Sequence, residues 1–510
     1  MSKSFFIFSL ILISICSRVE LIAQVKPNVI VVYADDLGYG DLSCYGATKI
    51  QTPHIDALAK RGIRFTNAHA TSATCTPSRY AMLTGKYPWK NKQTEILPGD
   101  APLIIPINQI NLASMFKASG YATAVVGKWH LGLGADTKKS WNAKIIPGPN
   151  EIGFDYSFIF PATADRVPTV FMENGTVVGL DTLDPIQVNY QQKIGDEPTG
   201  KENPSLLKMK NSPDHGHDNT IVNGIGRIGF MTGGKMARWT DEEVPLSFLE
   251  KSKAFVSQHA SKPFFLFYSL TEPHVPRVPS TMFKGKSGLG PRGDAILQID
   301  WAVGELIAHL KKLGLYENTL IIFTSDNGPV LDDGYQDQAV EKLNGHTPWG
   351  ALRGGKYSSY EAGTRVPTLV SWPVSMKGNM VSEALICQMD LLSSLGDLIG
   401  YRFYDNNAFD SQSHLKAWLG LDQHGRTFLV KQGRVPNAII KGEWKFIKAT
   451  KGPALNKLTN IELANADQDQ LYHLKSDTGE RNNLRLANPE KAKELAELLK
   501  KETQLSVYNK

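Results

Sequence analysis

Four runs of mainly hydrophobic residues lie far apart along the chain. They cover residues 28–34 (NVIVVYA), 121–126 (YATAVV), 262–270 (KPFFLFYSL) and 319–324 (TLIIFT). A short continuous apolar run rich in β-branched and aromatic residues predicts a strand that is buried on both faces, as in a parallel sheet. Between the last two runs, residues 292–313 show the apolar spacing of a helix that ends at Gly314. The pattern predicts an α/β fold with a large, mostly parallel sheet flanked by helices.

The pattern changes beyond about residue 390. Residues 426–432 and 438–447 predict antiparallel strands, the second interrupted by a Gly-Glu turn, and residues 489–502 predict a final helix. We therefore expect a main domain over residues 24–390 and a smaller subdomain of antiparallel sheet plus helix over residues 391–510.

Polar side chains follow each of the four runs, at the point where the strand is expected to end. In open α/β sheets, ligands bind just beyond the carboxyl ends of the strands, so we expect these side chains to converge. They are Asp35 and Asp36 after the first run, Lys128 and His130 after the second, His274 after the third, and Asp326 and Asn327 after the fourth. Lys128 and His130 alternate with their neighbours, so an extended backbone would point both to one side.

The residue types indicate what such a site would bind. The pairs Asp35-Asp36 and Asp326-Asn327 offer only hard oxygen ligands, which favours Ca²⁺, or else Mg²⁺, over zinc. A cation within a ring of donors suits a tetrahedral oxyanion such as a sulfate or phosphate ester, and a histidine can protonate a leaving oxygen. The groups that supply positive charge and transferable protons are Arg79, Lys128, His130, His274 and Lys356, the last presented by the glycine pair of LRGGK.

Cys75 lies in the segment TCTPSRYAMLTG, which predicts a turn followed by a short helix. Pro77 suits the first turn of a helix, so Cys75 is expected just ahead of a helix N-terminus, where backbone N–H groups favour an anion. Arg79, four residues on, adds a positive charge on the same face. From the residues alone, Cys75 is either a buried structural cysteine or a thiolate nucleophile activated by the helix end.

Residues 168–243 are rich in Gly, Pro, Asp and Lys and predict a long irregular segment. Such a segment in a globular chain is usually functional or disordered. Its cationic side chains either line a substrate cleft or are solvated; they are His217, Arg227, Lys235 and Arg238.

The N-terminus has the layout of a secretory signal peptide, with Lys3 ahead of an apolar run and Ala23 before a cleavage site. We expect residues 1–23 to be removed and the protein to be periplasmic or secreted. Anchoring as a lipoprotein through Cys16 is disfavoured, because Ile15 is larger than the small residue expected at that position.

The mature chain would keep three cysteines, an odd number that argues against a disulfide framework. A net charge of +6 over 510 residues, with no basic run, argues against nucleic acid as a partner. The sequence shows no further membrane segment.

Six motifs together resemble the type I sulfatases of the alkaline-phosphatase-like superfamily, from about residue 28 to the C-terminus. They are NVIVVYADDLGYGDL, CTPSRYAMLTGKYP, GKWHLG, EPHVP, TSDNG and LRGGK. The resemblance implies sulfate-ester hydrolysis by a formylglycine, which a formylglycine-generating enzyme makes from Cys75. It also implies that Ca²⁺ is held by an oxygen of that group and by Asp35, Asp36, Asp326 and Asn327.

The same resemblance implies roles for the cationic side chains. Arg79 would support the formylglycine, Lys128 and Lys356 would hold the sulfate oxygens, and His274 would protonate the departing alcohol. His130 would assist release of sulfate as the aldehyde re-forms from its hydrated gem-diol.

The substrate class follows less directly. The signal peptide and the long polar insert resemble those of exported bacterial sulfatases, which implies a sulfated polysaccharide or glycosaminoglycan fragment, bound in part by His217 and Arg227. Two alternatives stay open: a phosphate or phosphonate ester hydrolase of the same fold, and a non-catalytic binder of sulfated glycans if Cys75 is not oxidised.

Overall fold

A computed structural model describes residues 26–404 and 409–504. The expected signal peptide, residues 1–23 with Cys16, lies outside the described residues. In the part that is described, no helix combines the length and the apolar character needed to cross a membrane. Cys44, Cys75 and Cys387 are free thiols.

A ten-stranded mixed sheet forms the centre of the molecule. Its strands lie in the order Met380–Ser382, Ile63–Phe65, Thr368–Ser371, Thr319–Ser325, Asn28–Ala34, Phe264–Ser269, Ala122–Lys128, Tyr156–Phe160, Met172–Glu173 and Thr176–Val177. The five strands from Thr319–Ser325 to Tyr156–Phe160 are parallel to one another. Their carboxyl ends therefore meet at one edge of the sheet. The predicted α/β class with a mostly parallel sheet is confirmed.

Helices cover both faces of the sheet, because each central strand buries side chains on both sides. Along Asn28–Ala34, Val29 and Tyr33 belong to one apolar core and Ile30 and Val32 to the other, and all are fully buried. Burial of each such side chain contributes roughly 1.5–3 kcal/mol. The first core includes side chains from the helices Cys75–Thr84, Leu112–Ala118, Leu391–Ile399 and Leu415–Trp418. The second core includes side chains from the helices Pro53–Lys60, Val244–Gln258 and Gly290–Lys312.

A four-stranded antiparallel sheet with a third apolar core follows in the C-terminal part of the chain. It consists of Phe428–Gln432, Pro436–Lys441, Trp444–Ile447 and Gln470–His473, packed on the helix Pro489–Gln504. The antiparallel strands and the final helix are thus confirmed. Helices up to Trp418 still pack on the large sheet, and the domain boundary at residue 390 stays a prediction.

The segment over residues 168–243 contains more structure than its composition predicts. Besides the two strands that extend the large sheet, it forms the antiparallel pairs Gln187–Asn189 with Phe230–Thr232 and Ile221–Val222 with Ile225–Gly226. The segment is otherwise irregular, as expected, and pairs this short leave no periodic signal in the sequence. Elsewhere, short strands occur at Ala68–His69, Ile386–Cys387, Leu455–Asn456 and Ile461–Glu462, and Glu361–Thr364 forms one helical turn.

Candidate active site

Three carboxylates and an amide come together at the carboxyl edge of the large sheet. Asp35 and Asp36 directly follow the strand Asn28–Ala34, and Asp326 and Asn327 follow the neighbouring strand. The backbone N–H of Asp36 donates to Asp326 Oδ1 at 3.2 Å, and Asn327 Nδ2 donates to Asp36 Oδ1 at 2.6 Å. All four side chains are fully buried. The predicted convergence of these two pairs is therefore observed.

A left-handed backbone at Asp36, with φ of 63°, turns the chain sharply after the strand. Asp is among the residues that tolerate this conformation. The turn allows successive carboxylates to meet different partners. Asp35 Oδ2 accepts from Lys128 Nζ at 2.6 Å, whereas Asp36 Oδ2 accepts from Lys356 Nζ at 2.9 Å.

Arg79 joins the helix Cys75–Thr84 to the same cluster. Its Nε and NH2 lie 3.0 and 2.8 Å from Asp326 Oδ2, and its NH1 donates to Ser269 Oγ at 2.6 Å. Removal of one partner from such a buried charge pair typically costs about 3–5 kcal/mol, so the guanidinium fixes Asp326 firmly.

The donor atoms of this cluster fit a hard divalent cation. Asp35 Oδ1 and Asn327 Oδ1 are buried and accept no hydrogen bond from any described residue. Burial, together with the neighbouring carboxylates, raises the pKa of Asp35 well above its ordinary value despite the nearby Lys128. A cation would satisfy both oxygens and offset the repulsion between carboxylates, and oxygen-only ligands are those that Ca²⁺ and Mg²⁺ prefer.

Cys75 is the first residue of its helix, with Thr74 in the capping position. It lines an open cleft together with His274 and Lys356 and is only 1% exposed. Burial raises the pKa of the Cys75 thiol, although Lys128 and Lys356 counteract this. An unmodified Cys75 is therefore a neutral thiol near pH 7, which does not favour the thiolate-nucleophile interpretation.

Lys356 lies between two carboxylates at the wall of the cleft. Its Nζ is 2.9 Å from Asp36 Oδ2 and 2.8 Å from Asp333 Oδ2. Burial alone would lower the pKa of Lys356, but Asp333 and Asp36 hold it well above its ordinary value. Lys356 is thus a fixed positive charge. Asp333 was missed in the sequence, where only its position shortly after TSDNG could have drawn attention to it.

His274 faces the same carboxylates. Its Nδ1 hydrogen bonds with the carbonyl of Val275 at 2.7 Å, and its Nε2 lies 3.8 Å from Asp36 Oδ2. Burial, followed by the charges of Lys356 and Lys128, lowers the pKa of His274 well below its usual value. The imidazole is therefore neutral near pH 7 until an anion enters the cleft.

His130 does not follow the extended backbone predicted for it. The strand ends at Lys128, and His130 has a left-handed φ of 56°. The argument from alternation with Lys128 is therefore wrong at this residue. His130 Nε2 is bound to the carbonyl of Leu97 at 2.9 Å, and the hydroxyl of Thr76 donates to the His130 carbonyl, which places His130 against the start of the Cys75 helix.

The cleft above Cys75 has a volume of about 240 Å³. His217 lines it, and its Nε2 is 3.0 Å from Asp165 Oδ2. The lining includes residues from distant parts of the chain that sequence patterns did not single out: Asp165, Arg166, His215, Asp333, Tyr357, Arg434, Asn456 and Thr459. Three of these come from the C-terminal part, and no motif in the sequence links them to Cys75.

The other cations of the long segment lie elsewhere. Arg227 is fully buried, and its NH2 donates to both carboxylate oxygens of Asp241, at 2.7 and 2.9 Å. It does not line the cleft, which differs from the expectation for this residue. Arg238 pairs with Glu197 at 2.6 Å, and Lys235 is exposed.

Cations around a carboxylate cluster, beside an open cleft, are the arrangement that a hydrolase of tetrahedral oxyanion esters needs. The Sulfatase family model matches residues 27–401. The chain is 55% identical to an N-acetylgalactosamine-6-O-sulfatase of Bacteroides thetaiotaomicron over 475 residues, which cover 93% of this chain and 92% of that protein. It is 30% identical to arylsulfatase A of Homo sapiens over 474 residues, covering 90% of this chain and 83% of that protein.

A solved structure agrees with these relatives. A protein from work on the metabolism of multiple glycosaminoglycans by Bacteroides thetaiotaomicron superposes with a TM-score of 0.92 at 54% identity, covering 94% of this chain and 99% of that chain. The chain belongs to the sulfatase family and is a sulfuric ester hydrolase. The resemblance seen in the sequence is confirmed.

Proposed function

We propose that this sulfatase is exported and removes the 6-sulfate of N-acetylgalactosamine from glycosaminoglycan fragments, with a formylglycine made from Cys75 and with Ca²⁺. The observation that carries the proposal is the convergence of the Asp35-Asp36 and Asp326-Asn327 pairs with Cys75 beside one cleft. The 55% identity to an N-acetylgalactosamine-6-O-sulfatase supports the substrate, and the layout of residues 1–23 supports export.

Asp35, Asp36, Asp326 and Asn327 would hold the cation, which would withdraw electron density from the sulfate ester and from the formylglycine that a formylglycine-generating enzyme would make from Cys75. Arg79 keeps Asp326 in place through its two contacts. The role of the chain's other residues is to bind the sulfate and to move protons.

Lys128 and Lys356 supply the positive charge that sulfate oxygens require. Both are fixed by carboxylates, at 2.6 Å from Asp35 and 2.9 Å from Asp36, so little reorganisation is needed when charge develops in the transition state. Such preorganised charge is a large part of the catalysis of group transfer.

His274 is the residue that would protonate the departing sugar oxygen. It lines the cleft, and its Nε2 faces the cluster while its Nδ1 is held by a backbone carbonyl. The anionic sulfate offsets the lysine charges that lower its pKa, so binding of substrate favours the protonated form needed for general acid catalysis. His130, against the start of the Cys75 helix, is the candidate for assisting the release of sulfate.

His217 and Asp165 would bind the sugar rather than the sulfate. They form one hydrogen-bonded pair in the cleft wall, and His217 is 5% exposed with its Nδ1 unpaired among the described residues. A buried polar atom without a partner is costly, and a sugar hydroxyl would satisfy it.

The direct test measures free sulfate released from defined sugars. We expect turnover of N-acetylgalactosamine 6-sulfate, slower turnover of the 4-sulfate and of glucosamine 6-sulfate, and little of 4-nitrophenyl phosphate. Mass spectrometry of the peptide containing Cys75 should show the aldehyde in protein produced with a maturation enzyme. Faster hydrolysis of a phosphate ester than of a sulfate ester would contradict the proposal. So would an unmodified thiol at position 75 in fully active protein.

His217→Ala tests the sugar-binding role. We expect kcat/KM for N-acetylgalactosamine 6-sulfate to fall about ten- to a hundredfold, the value of one hydrogen bond to a charged or buried group. Turnover of a small aryl sulfate should fall far less. Lys235→Ala, at an exposed cation of the same segment, is the matched control and should change neither rate. Equal losses on both substrates after His217→Ala would point to a structural role.

A further inference from the structure

A second groove of about 460 Å³ lies beside the cleft. Its volume is in the range of ligand pockets. One wall comes from the segment after the strand Thr319–Ser325 and includes Val330, Trp349 and Leu352. The opposite wall comes from the hairpin of Leu455–Asn456 and Ile461–Glu462 in the C-terminal part of the chain.

The turn of this hairpin connects the groove to the cleft. Leu458 and Thr459 line both cavities. The Thr459 hydroxyl makes no hydrogen bond with any described residue, although Thr459 is only 5% exposed. A buried hydroxyl without a partner is costly, so its position at the junction indicates a polar ligand that passes from one cavity into the other.

The lining of the groove combines apolar and charged side chains. Three basic side chains, Arg353, Lys457 and Arg481, outnumber the acidic Asp332 and Glu462. Glu462 pairs with Arg353 and lies 3.7 Å from Arg481, whereas Lys457 makes no ion pair with a described residue. The partly exposed Trp349 offers an indole to the groove. An aromatic surface with cationic neighbours suits an anionic sugar better than a hydrophobic peptide.

The two walls are fixed relative to each other before any ligand binds. Arg353 Nε and NH2 form a two-pronged pair with Glu462 at 2.8 and 2.6 Å, and Arg353 NH1 donates to the carbonyl of Glu480 at 2.7 Å. The hydroxyl of Ser358 donates to the carbonyl of Glu462 at 2.6 Å. A prearranged groove lowers the entropic cost of binding.

We propose that this groove binds the sugar units attached to the sulfated residue, that is, the continuation of an anionic oligosaccharide whose sulfated end lies in the cleft. The inference rests on the proposed function, because it takes the cleft to hold a sulfated sugar. It adds that the enzyme recognises a chain and that the C-terminal hairpin supplies half of the chain-binding surface.

The test compares two substrates in three variants. The substrates are N-acetylgalactosamine 6-sulfate and a uronate-containing tetrasaccharide with that residue at its non-reducing end, and the readout is the ratio of their kcat/KM values. We expect the ratio of tetrasaccharide to monosaccharide to fall about tenfold in Trp349→Ala. In Lys457→Glu it should fall about two- to fivefold, as for a loss of one exposed charge contact. Lys493→Glu, which makes the same charge change on the exposed face of the last helix, should leave the ratio unchanged.

An unchanged ratio in both groove variants would overturn the inference, and so would an equal fall in Lys493→Glu. A failure of the proposed function looks different, because neither substrate would then release sulfate. In that case calorimetric titration of the tetrasaccharide decides: weaker binding to Trp349→Ala than to the wild type supports the groove, and equal binding rejects it. Circular dichroism of each variant checks that it is folded.

Discussion

Two of the clusters of buried charge among the described residues differ in what surrounds them. The site cluster consists of Asp35, Asp36 and Asp326 with Arg79, Lys128 and Lys356. The closed cluster consists of Glu361 and Glu480 with Lys431 and Lys445. Burial alone therefore does not tell which of them carries chemistry.

The closed cluster joins the large domain to the C-terminal sheet. Glu361 Oε1 accepts from Lys431 Nζ at 2.6 Å and from Lys445 Nζ at 3.0 Å. Glu480 accepts from the backbone N–H of Glu361 at 2.6 Å and lies 2.7 Å from Lys445 Nζ. Arg365, at 3.6 Å, is the nearest cation to the second oxygen of Glu361. This second oxygen accepts no hydrogen bond from a described residue.

The site cluster differs in its position beside an opening. Lys356 and its neighbours Cys75 and His274 line an open cleft. None of the four residues of the closed cluster lines that cleft. Each cluster contains a carboxylate oxygen that accepts no hydrogen bond from a described residue, Asp35 Oδ1 in one and Glu361 Oε2 in the other, so enclosure is what separates them. Buried charge that is enclosed holds the fold together, whereas buried charge beside an opening is available for a ligand. Substitutions in the two clusters should therefore separate activity from stability.

Cys75→Ala should give the largest effect. Because the proposed chemistry begins at this position, we expect kcat/KM for a sulfate ester to fall by at least about a thousandfold. The free energy of unfolding should change by only about 1 kcal/mol, as for a small buried substitution. Cys44→Ala is the control, since Cys44 is also a free thiol but does not line the cleft. Substantial sulfatase activity in Cys75→Ala would refute the role of Cys75.

Glu361→Gln should show the opposite behaviour. It leaves Lys431 and Lys445 buried without their shared carboxylate, so we expect a loss of about 3–5 kcal/mol in the free energy of unfolding by urea. Activity per folded molecule should stay within a few-fold. Glu494→Gln, which removes one side of exposed pairs with Lys441 and Lys491, should cost less than about 1 kcal/mol. A similar loss in the free energy of unfolding for Glu361→Gln and Glu494→Gln would contradict the interpretation that the closed cluster stabilises the fold because it is enclosed.

The pH dependence of the Glu361→Gln loss has a definite sign. Burial alone would raise the pKa of Glu361, but Lys431 and Lys445 hold it well below the ordinary value of 4.5. A carboxyl with a lowered folded pKa contributes stability that is fully present above the unfolded pKa and is lost as the pH falls through the folded pKa. The stability difference between the wild type and Glu361→Gln should therefore be full above pH 4.5 and shrink in more acidic urea titrations. A difference that grows on acidification would exclude this account.

The strands of the parallel core and the site cluster could be predicted from the sequence for the same reason. Strands buried on both faces leave continuous apolar runs, and their parallel arrangement brings the polar residues that follow them to one edge. The convergence of the pairs Asp35-Asp36 and Asp326-Asn327 could be predicted from this arrangement alone. Cys75 and Lys356 were identified from the motifs TCTPSRYAMLTG and LRGGK, which indicate local turns.

The closed cluster could not be predicted, because its residues look like surface residues. Lys431 follows the apolar run FLV at the end of its strand, and Lys445 lies between Trp444 and Phe446. A lysine at either place predicts a solvent-facing side chain. The large domain covers that face and supplies Glu361, a contact that depends on tertiary packing. The pairing of Arg227 with Asp241 and the place of Arg434 in the cleft depend on packing in the same way.

The stabilisation by Ca²⁺ is the smallest effect that we expect. It also tests most directly whether the site cluster, rather than the closed cluster, binds a ligand. A cation that binds only the folded protein at a hundred times its Kd adds about 2.7 kcal/mol of stability, so Ca²⁺ added after chelation should raise the midpoint of thermal unfolding. Asp36→Asn should abolish most of that rise, and asparagine tolerates the left-handed backbone at this position.

Asp333→Asn is the matched control for Asp36→Asn, since both residues pair with Lys356 but only Asp36 is a proposed ligand. Asp333→Asn should keep the Ca²⁺-dependent rise in the midpoint of thermal unfolding. Glu361→Gln should keep this rise as well, although its midpoint without Ca²⁺ is lower than that of the wild type. A rise that survives Asp36→Asn but disappears in Glu361→Gln would place the cation at the closed cluster. Enclosure would then not be what separates the two clusters, because the enclosed cluster would be the one that binds the cation.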